Sequence, residues 1–514
     1  MEGRLFLSGK VKFQAGAALR TKHVSRESVP LNFAAGSIPG TETRGGGIQK
    51  EGRRDVPVVK NDFSKGSISK NIMTLAIPMT AAQLVNVLYS VVDRIYLGRL
   101  PGTGHLALTG IGITIPIVSI VMGLANLCGT GGAPLCSICR GHGDKEEAEN
   151  VMGNSFTLLL VLGLAATAFF LLLRKPILYL FGASADTFVY ADQYMTIYLC
   201  GTLFVMISLG MNPFINAQGF GRMGMLTVII GAALNIVLDP IFIFGLDMGV
   251  QGAALATVIS QGVSAAWVLQ FLISRRAILR LRRRCLRLQR RRVMRIISLG
   301  LSGFFMNMTN SLVQVVCNAT LQRYGGDLYV GIMTIINSLR EVFSMPVQGL
   351  TNGSQPVAGF NYGAGKYSRV RESIRFSVRG TVIYAAAFWV LAMAVPGLLI
   401  QVFNSEPEVV EKGIPALRIY FGLFVFMSLQ MAGQGVFVSL GRSKQAVFFS
   451  LLRKAIINAP LTVILPIWMG TTGVFAAEAV SQLAGGLACF LTMYATVYRP
   501  LGKAADGGPL PERM

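Results

Sequence analysis

Along this chain the apolar residues come in runs of about twenty, separated by short polar or glycine-rich breaks. Neither the alternation of a strand nor the narrow stripe of an amphipathic helix describes them. A run of that length is what an α-helix needs to cross the hydrocarbon of a bilayer, roughly 30 Å at about 1.5 Å per residue. From Ile72 onward there are twelve such runs, at 72–97, 106–128, 151–173, 190–212, 226–244, 250–273, 296–321, 328–350, 374–399, 414–436, 446–468 and 473–497. The pattern predicts an all-α membrane protein of twelve transmembrane helices.

The second half of the chain repeats the first. CGTGGAPLCSICRGHGDKEEAENVMGNS at 128–155 aligns without a gap on LTNGSQPVAGFNYGAGKYSRVRESIRFS at 350–377. The shared positions include Gly131 with Gly353, Pro134 with Pro356, Gly141 with Gly363, Gly143 with Gly365 and Ser155 with Ser377. Further pairs, such as Ser260-Gln261 with Ser481-Gln482, keep the offset near 221 over most of each half. Six spans per copy is an even number, so both copies enter the membrane from the same side. They are then related by a pseudo-two-fold axis along the membrane normal, as two six-helix lobes around a cleft. The expected organisation is a disordered basic tail at 1–70, a first lobe at 71–274, an Arg-rich linker at 275–295, a second lobe at 296–499 and a short tail at 500–514.

Composition agrees with this class. Of 514 residues, 52% are hydrophobic and 14% charged, where a soluble chain carries about 25% charged residues. The formal net charge of +23 is concentrated in the N-terminal stretch and a few loops. That distribution reads as membrane topology, and no nucleic-acid partner is expected. The 275–295 segment holds eleven Arg and no acid, which predicts that it is cytoplasmic and, with twelve spans, that both termini are too. Lys366, Arg369 and Arg371 fall on the same side, and Glu406, Glu408 and Glu411 on the other, while Arg174 and Lys175 go against the rule. The 1–70 segment has 13 Lys+Arg against 6 Asp+Glu and no apolar run. It reads as a disordered, dispensable tail rather than as a signal peptide; the competing reading is an anchor for anionic membrane lipids, against which its charges are dispersed rather than clustered beside the first span. Seven Cys and three scattered His offer one isolated CxxC, at Cys136 and Cys139, and predict packing residues rather than a metal centre or a hydrolase.

Candidate chemistry lies inside the spans. The run 226–245, LTVIIGAALNIVLDPIFIFG, is interrupted by Asn235 and Asp239, four apart and so on one helix face. Pro240 lacks an N–H, which leaves the carbonyl of Ile236 without its helical donor. Together these are oxygen ligands for a small hard cation, or a proton site. The plainer reading is a helix kink with an interhelical hydrogen bond. Asp93, Asp239 and Thr257 all lie roughly 6–10 Å below the same ends of their helices, at about 1.5 Å per residue. Across the repeat these positions become Cys317, Ala459 or Pro460, and Glu478, so the expected cation site belongs to the first lobe. Gln83, Asn86, Tyr89, Ser90 and Asp93 share one face of the first span, as the lining of a cleft would, above a bend at Pro78. In the second lobe Asn310, Gln314 and Asn337 are candidates for the facing wall. Glu341 and Glu478 are further intramembrane acids there, expected at the same cleft, with Arg340 as a natural ion-pair partner for Glu341.

The sequence IPMTAAQLVNVLYSVVDRIYLG, then the GxxxP…GxG loop, LNIVLDP and GAALATVISQ, in that order, resembles the multidrug and toxic compound extrusion family, and within it the DinF-like branch. The resemblance covers about 72–499. It implies twelve helices in two lobes and cation-coupled export of drugs or toxic metabolites. It also implies Na⁺ or H⁺ at Asp93, Asn235, Asp239 and Thr257, a bending role for Pro78, and a place for Tyr194 beside the cleft. The expected protein is therefore an inner-membrane antiporter of a prokaryote, a monomer, with no cofactor beyond the coupling ion and no catalytic residues. No phosphate-binding loop is present to couple ATP. The alternative is a lipid-linked oligosaccharide flippase of the same broad superfamily, which would resemble chains of about fourteen spans with a basic cleft. A membrane-embedded enzyme would need a clustered nucleophile, His or metal set, and the sequence offers none.

Overall fold

The structure, a computed structural model, describes residues 63–98, 100 and 104–505. Among them are nine helices long and apolar enough to cross a membrane, and two further helix pairs that do so together across a bend. The longest helix, Arg290–Gly363, is two spans joined at Gly326, whose φ of 65° and ψ of −164° only glycine adopts readily. Counting it as two, and each bent pair as one, gives twelve membrane helices.

In chain order these are α1 (Ile68–Gly98), α2 (Gly104–Gly141), α3 (Lys145–Leu180), α4 (Ala185–Cys200 with Thr202–Ala217), α5 (Gly221–Gly245) and α6 (Gly249–Ile273). The second lobe follows with α7 (290–325), α8 (327–363), α9 (Tyr367–Ala394), α10 (Pro407–Phe421 with Phe424–Ser439), α11 (Ser443–Met469) and α12 (Thr471–Ala505). The bend is 57° in α4, at Gly201, and 40° in the repeat-equivalent α10, at Gly422. Several helices outrun their predicted spans by a turn or more. Helix α1 runs unbroken through Pro78.

The repeat is visible in the turns and in the packing. Gly143 and Gly365, and likewise Gly249 and Gly470, hold positive φ at matching places. The lobes meet where α2 and α8 finish. A Cβ on Gly141 would lie 2.0 Å from the Phe360 carbonyl oxygen, and one on Gly363 would lie 2.1 Å from the Ile138 carbonyl oxygen. Gly131 meets Ile296 and Gly353 meets Ala76 in the same crossed fashion. Each contact has its mate on the other lobe, as a two-fold axis requires. Only glycine allows these backbones to approach so closely.

The linker and part of the expected tail are folded. The Arg-rich stretch 275–295 lies across the end of the first lobe with Ala277, Leu279 and Cys285 buried. Asn154 of α3 holds it, donating to the carbonyls of Cys285 (3.3 Å) and Arg287 (3.1 Å) and accepting from the Gln289 N–H (2.8 Å). Its charge is partly matched by Glu149 with Arg282 (3.2 Å) and Glu147 with Arg292 (2.5 Å). Residues 1–62 of the expected tail lie outside the described residues, but 63–70 pack on the bundle, with Phe63 and Ile68 fully buried. At the other terminus α12 extends to Ala505, into the expected tail. Arg174, which went against the charge rule, pairs with Asp192 at 3.0 Å.

Candidate functional site

Among the described residues, three polar regions interrupt the apolar interior. The largest is a cleft of about 460 Å³. Gln83, Asn86, Tyr89 and Gln261 line it from the first lobe, and Asn307, Gln348, Asn352, Gln355 and Gln434 from the second, with Met122, Met306 and Met431 as adaptable apolar wall. The polar face of α1 therefore opens on space shared by both lobes.

Beside the cleft, within the first lobe, is a cavity of about 40 Å³ that shares Asn86, Tyr89 and Gln261 with it and reaches Asn235 and Thr257. Here α5 and α6 bring their side chains together. Asn235 Nδ2 donates to Asp239 Oδ1 at 3.1 Å and lies 3.4 Å from Thr257 Oγ1. Asp239 is fully buried, and α5 widens into a π-helical turn at Ile241–Gly245 directly after Pro240. Asp93 of α1 is close enough to Asp239 for one carboxyl to donate a hydrogen bond to the other once protonated. Asn235 Oδ1 and Asp239 Oδ2 are buried and accept no hydrogen bond. Buried acceptors normally have a donor or a cation, so two of them in one oxygen-lined place suit a small hard cation or a shared proton. Among the described residues no three His, Cys, Asp or Glu cluster as a softer metal would need. Tyr194 stacks on Tyr198 (6.0 Å, 14°) and lies within electrostatic reach of Asp93, beside the cluster rather than in the cleft wall.

The third region is in the second lobe. Asn310, Gln314, Asn337 and Glu478 do not line the shared cleft. They surround a separate cavity of about 20 Å³ with Arg340, Tyr420 and Lys454. Lys454 donates to both carboxylate oxygens of Glu478 at 3.0 Å. Asn458 and Gln482 also donate to Glu478, and Arg453 lies at 3.5 Å. Glu341 is exposed, outside the described ion pairs. Sequence reasoning missed Gln261, Ser208, Ser260 and Ser264 around the first cavity, and Arg453 and Lys454 around the last. Charges at 453 and 454, inside the apolar run 446–468, were the available signal.

A two-lobed bundle of twelve membrane helices, with a shared cleft and a buried acidic pocket beside it, has the architecture of a secondary transporter. Residues 78–241 and 303–464, one block in each lobe, match the profile of the MatE family. The chain belongs to that family, and is a transporter rather than an enzyme. It is similar to the multidrug export protein MepA of Staphylococcus saprophyticus, 24% identical over 432 residues, covering 84% of this chain and 95% of that one. MepA of Staphylococcus haemolyticus is 26% identical over 381 residues, covering 73% of this chain and 83% of the relative. Among solved structures, an outward-facing multidrug resistance MATE transporter of the MOP superfamily superposes with a TM-score of 0.80 at 23% identity, covering 87% of this chain and 99% of that one.

Proposed function

We propose that the protein exports amphipathic, often cationic, small molecules across a prokaryotic cytoplasmic membrane, as a monomer driven by an inward gradient of Na⁺ or H⁺. The observation that carries this reading is the pair of orphaned acceptors on Asn235 and Asp239, next to Asp93, with Asn235 on the wall of the cavity beside the cleft. Ion binding there neutralises the carboxylates and repacks α1, whose polar face is cleft wall, and drug affinity falls. Coupling then needs only competition between ion and drug for one carboxylate network. Matched names among the MepA relatives support the substrate class. The Arg-rich 275–295 segment supports an orientation with both termini cytoplasmic.

Dye efflux from proteoliposomes, under separately imposed Na⁺ and H⁺ gradients, tests the proposal and separates the two ions. Asp239→Asn is expected to insert and fold but to lose gradient-driven efflux. Efflux at the parent rate by this variant sinks the coupling role of Asp239.

A further inference from the structure

The second-lobe cavity carries more positive charge than its carboxylate can match. Arg340 and Lys454 line it beside Glu478, and Arg453, 7% exposed, lies against the same carboxylate. Three cations thus surround one buried anion. Glu341, the other acid within electrostatic reach of Arg340, is exposed. Counting it still leaves one positive charge over. Were Lys454 neutral, two guanidiniums would remain against Glu478, and arginine does not give up its proton in proteins. Burying an unmatched cation is costly unless an anion joins it.

Hydrogen bonding tells the same story independently. Arg340 Nε, on the cavity wall, and Arg453 Nε, outside it, are buried donors without acceptors, and Arg453 Nη1 has only its 3.5 Å ion pair with Glu478. The first-lobe cluster has orphaned acceptors, and this cavity has an orphaned donor on its wall. Its neutral lining, the amides of Asn310, Gln314 and Asn337 and the Tyr420 hydroxyl, adds groups able to donate. The volume, about 20 Å³, holds roughly one water-sized group. That admits a halide or one end of a carboxylate and excludes a tetrahedral dianion.

We propose that the second lobe contains a binding site for a small monoanionic group, bounded by Arg340, Lys454 and Asn337. The group is chloride or the carboxylate of a solute. Each lobe then has a charged pocket of opposite preference, built on equivalent helices.

The inference goes beyond the transport reading, because binding is measured without a gradient. The test is equilibrium binding of radiolabelled chloride and, separately, radiolabelled acetate to the purified full chain in detergent, at fixed pH and ionic strength. Saturable binding of about one anion per chain, unaffected by sulfate, is expected. Competition between chloride and acetate means that the site takes both. Saturation by one alone identifies that one as the source, and either result supports the site. Arg340→Gln should weaken binding at least tenfold, and Glu478→Gln, which removes the competing carboxylate, should strengthen it. Should Arg340→Gln fail to fold, the gain in Glu478→Gln decides. The proposal is overturned if neither anion binds saturably, if sulfate competes as well as chloride, or if Glu478→Gln leaves affinity unchanged.

Discussion

Asp239 and Glu478 are both buried carboxylates inside the bundle, and their surroundings give them different work. Asp239 has one amide donor on Oδ1 and none on Oδ2, with a second carboxylate, Asp93, alongside. It is short of positive charge. Glu478 is saturated by Lys454, Asn458 and Gln482. It serves as counter-ion for the second lobe and has no free oxygen for a coupling cation. A buried pair of this kind costs little to replace as a whole but much to break, about 3–5 kcal/mol. Glu478→Met, which leaves its surrounding cations without their anion, should therefore lower the thermal midpoint of the detergent-solubilised protein clearly, and Lys454→Met with Glu478→Met should recover part of the loss by removing one of those cations. A double variant no more stable than the single one would show that the pair does not act as a unit. The acidic cluster was legible in the sequence because Asn235, Asp239 and Pro240 stand out in a run that is otherwise apolar. Glu478 was misplaced at the cleft because its meaning depends on Lys454, 24 residues away on another helix.

At the scale of the element, the hydrophobic pattern reports how long a helix must be to cross the membrane, and it located every span. Curvature is invisible to it. The breaks at Gly201 and Gly422 fall within runs that read as single helices, whereas the break at Gly326 falls in the polar stretch 322–327 that already separates two predicted runs. The eleven arginines of the linker 275–295 spoke for its side of the membrane and carried no signal for its fold. What folds it is an anchor on a distant helix: Asn154, fully buried, satisfies two carbonyls and one N–H of the linker backbone. Asn154→Leu has nearly the same volume but leaves those three groups unmatched, at about 1–3 kcal/mol each. The arginine-rich segment should then be cut by trypsin much faster than in the parent protein, with the membrane helices intact. Equal cleavage rates would mean that the linker is held by its buried apolar residues alone.

For the whole molecule, duplication was the most legible feature, because glycines at matched positions mark where the lobes cross. The place of Phe63 in the fold was not legible, since a single aromatic residue in a polar stretch carries no periodic signal. Phe63 sits at that crossing. Its ring lies under the Arg140 guanidinium of the first lobe (5.2 Å) and edge-on to Phe360 of the second (5.9 Å). Its carbonyl accepts from Asn361 Nδ2 (3.2 Å) and Arg369 Nη2 (3.1 Å), both second-lobe residues. The segment before α1 thus joins the two lobes where α2 and α8 end, and rocking them apart must release it. Removing a buried Phe side chain costs about 3–5 kcal/mol in a structure that stays closed. Opening at this end exposes the site anyway, so Phe63→Ala should shift the balance toward the open form. Spin labels at Lys145 and Ser368, exposed residues beside the two equivalent turns, should report a longer distance in this variant than in the parent. A chain beginning at Ser64 should behave like Phe63→Ala, and one beginning a few residues earlier like the parent. Identical distance distributions in all of them would show that the glycine contacts alone hold this end of the transporter closed.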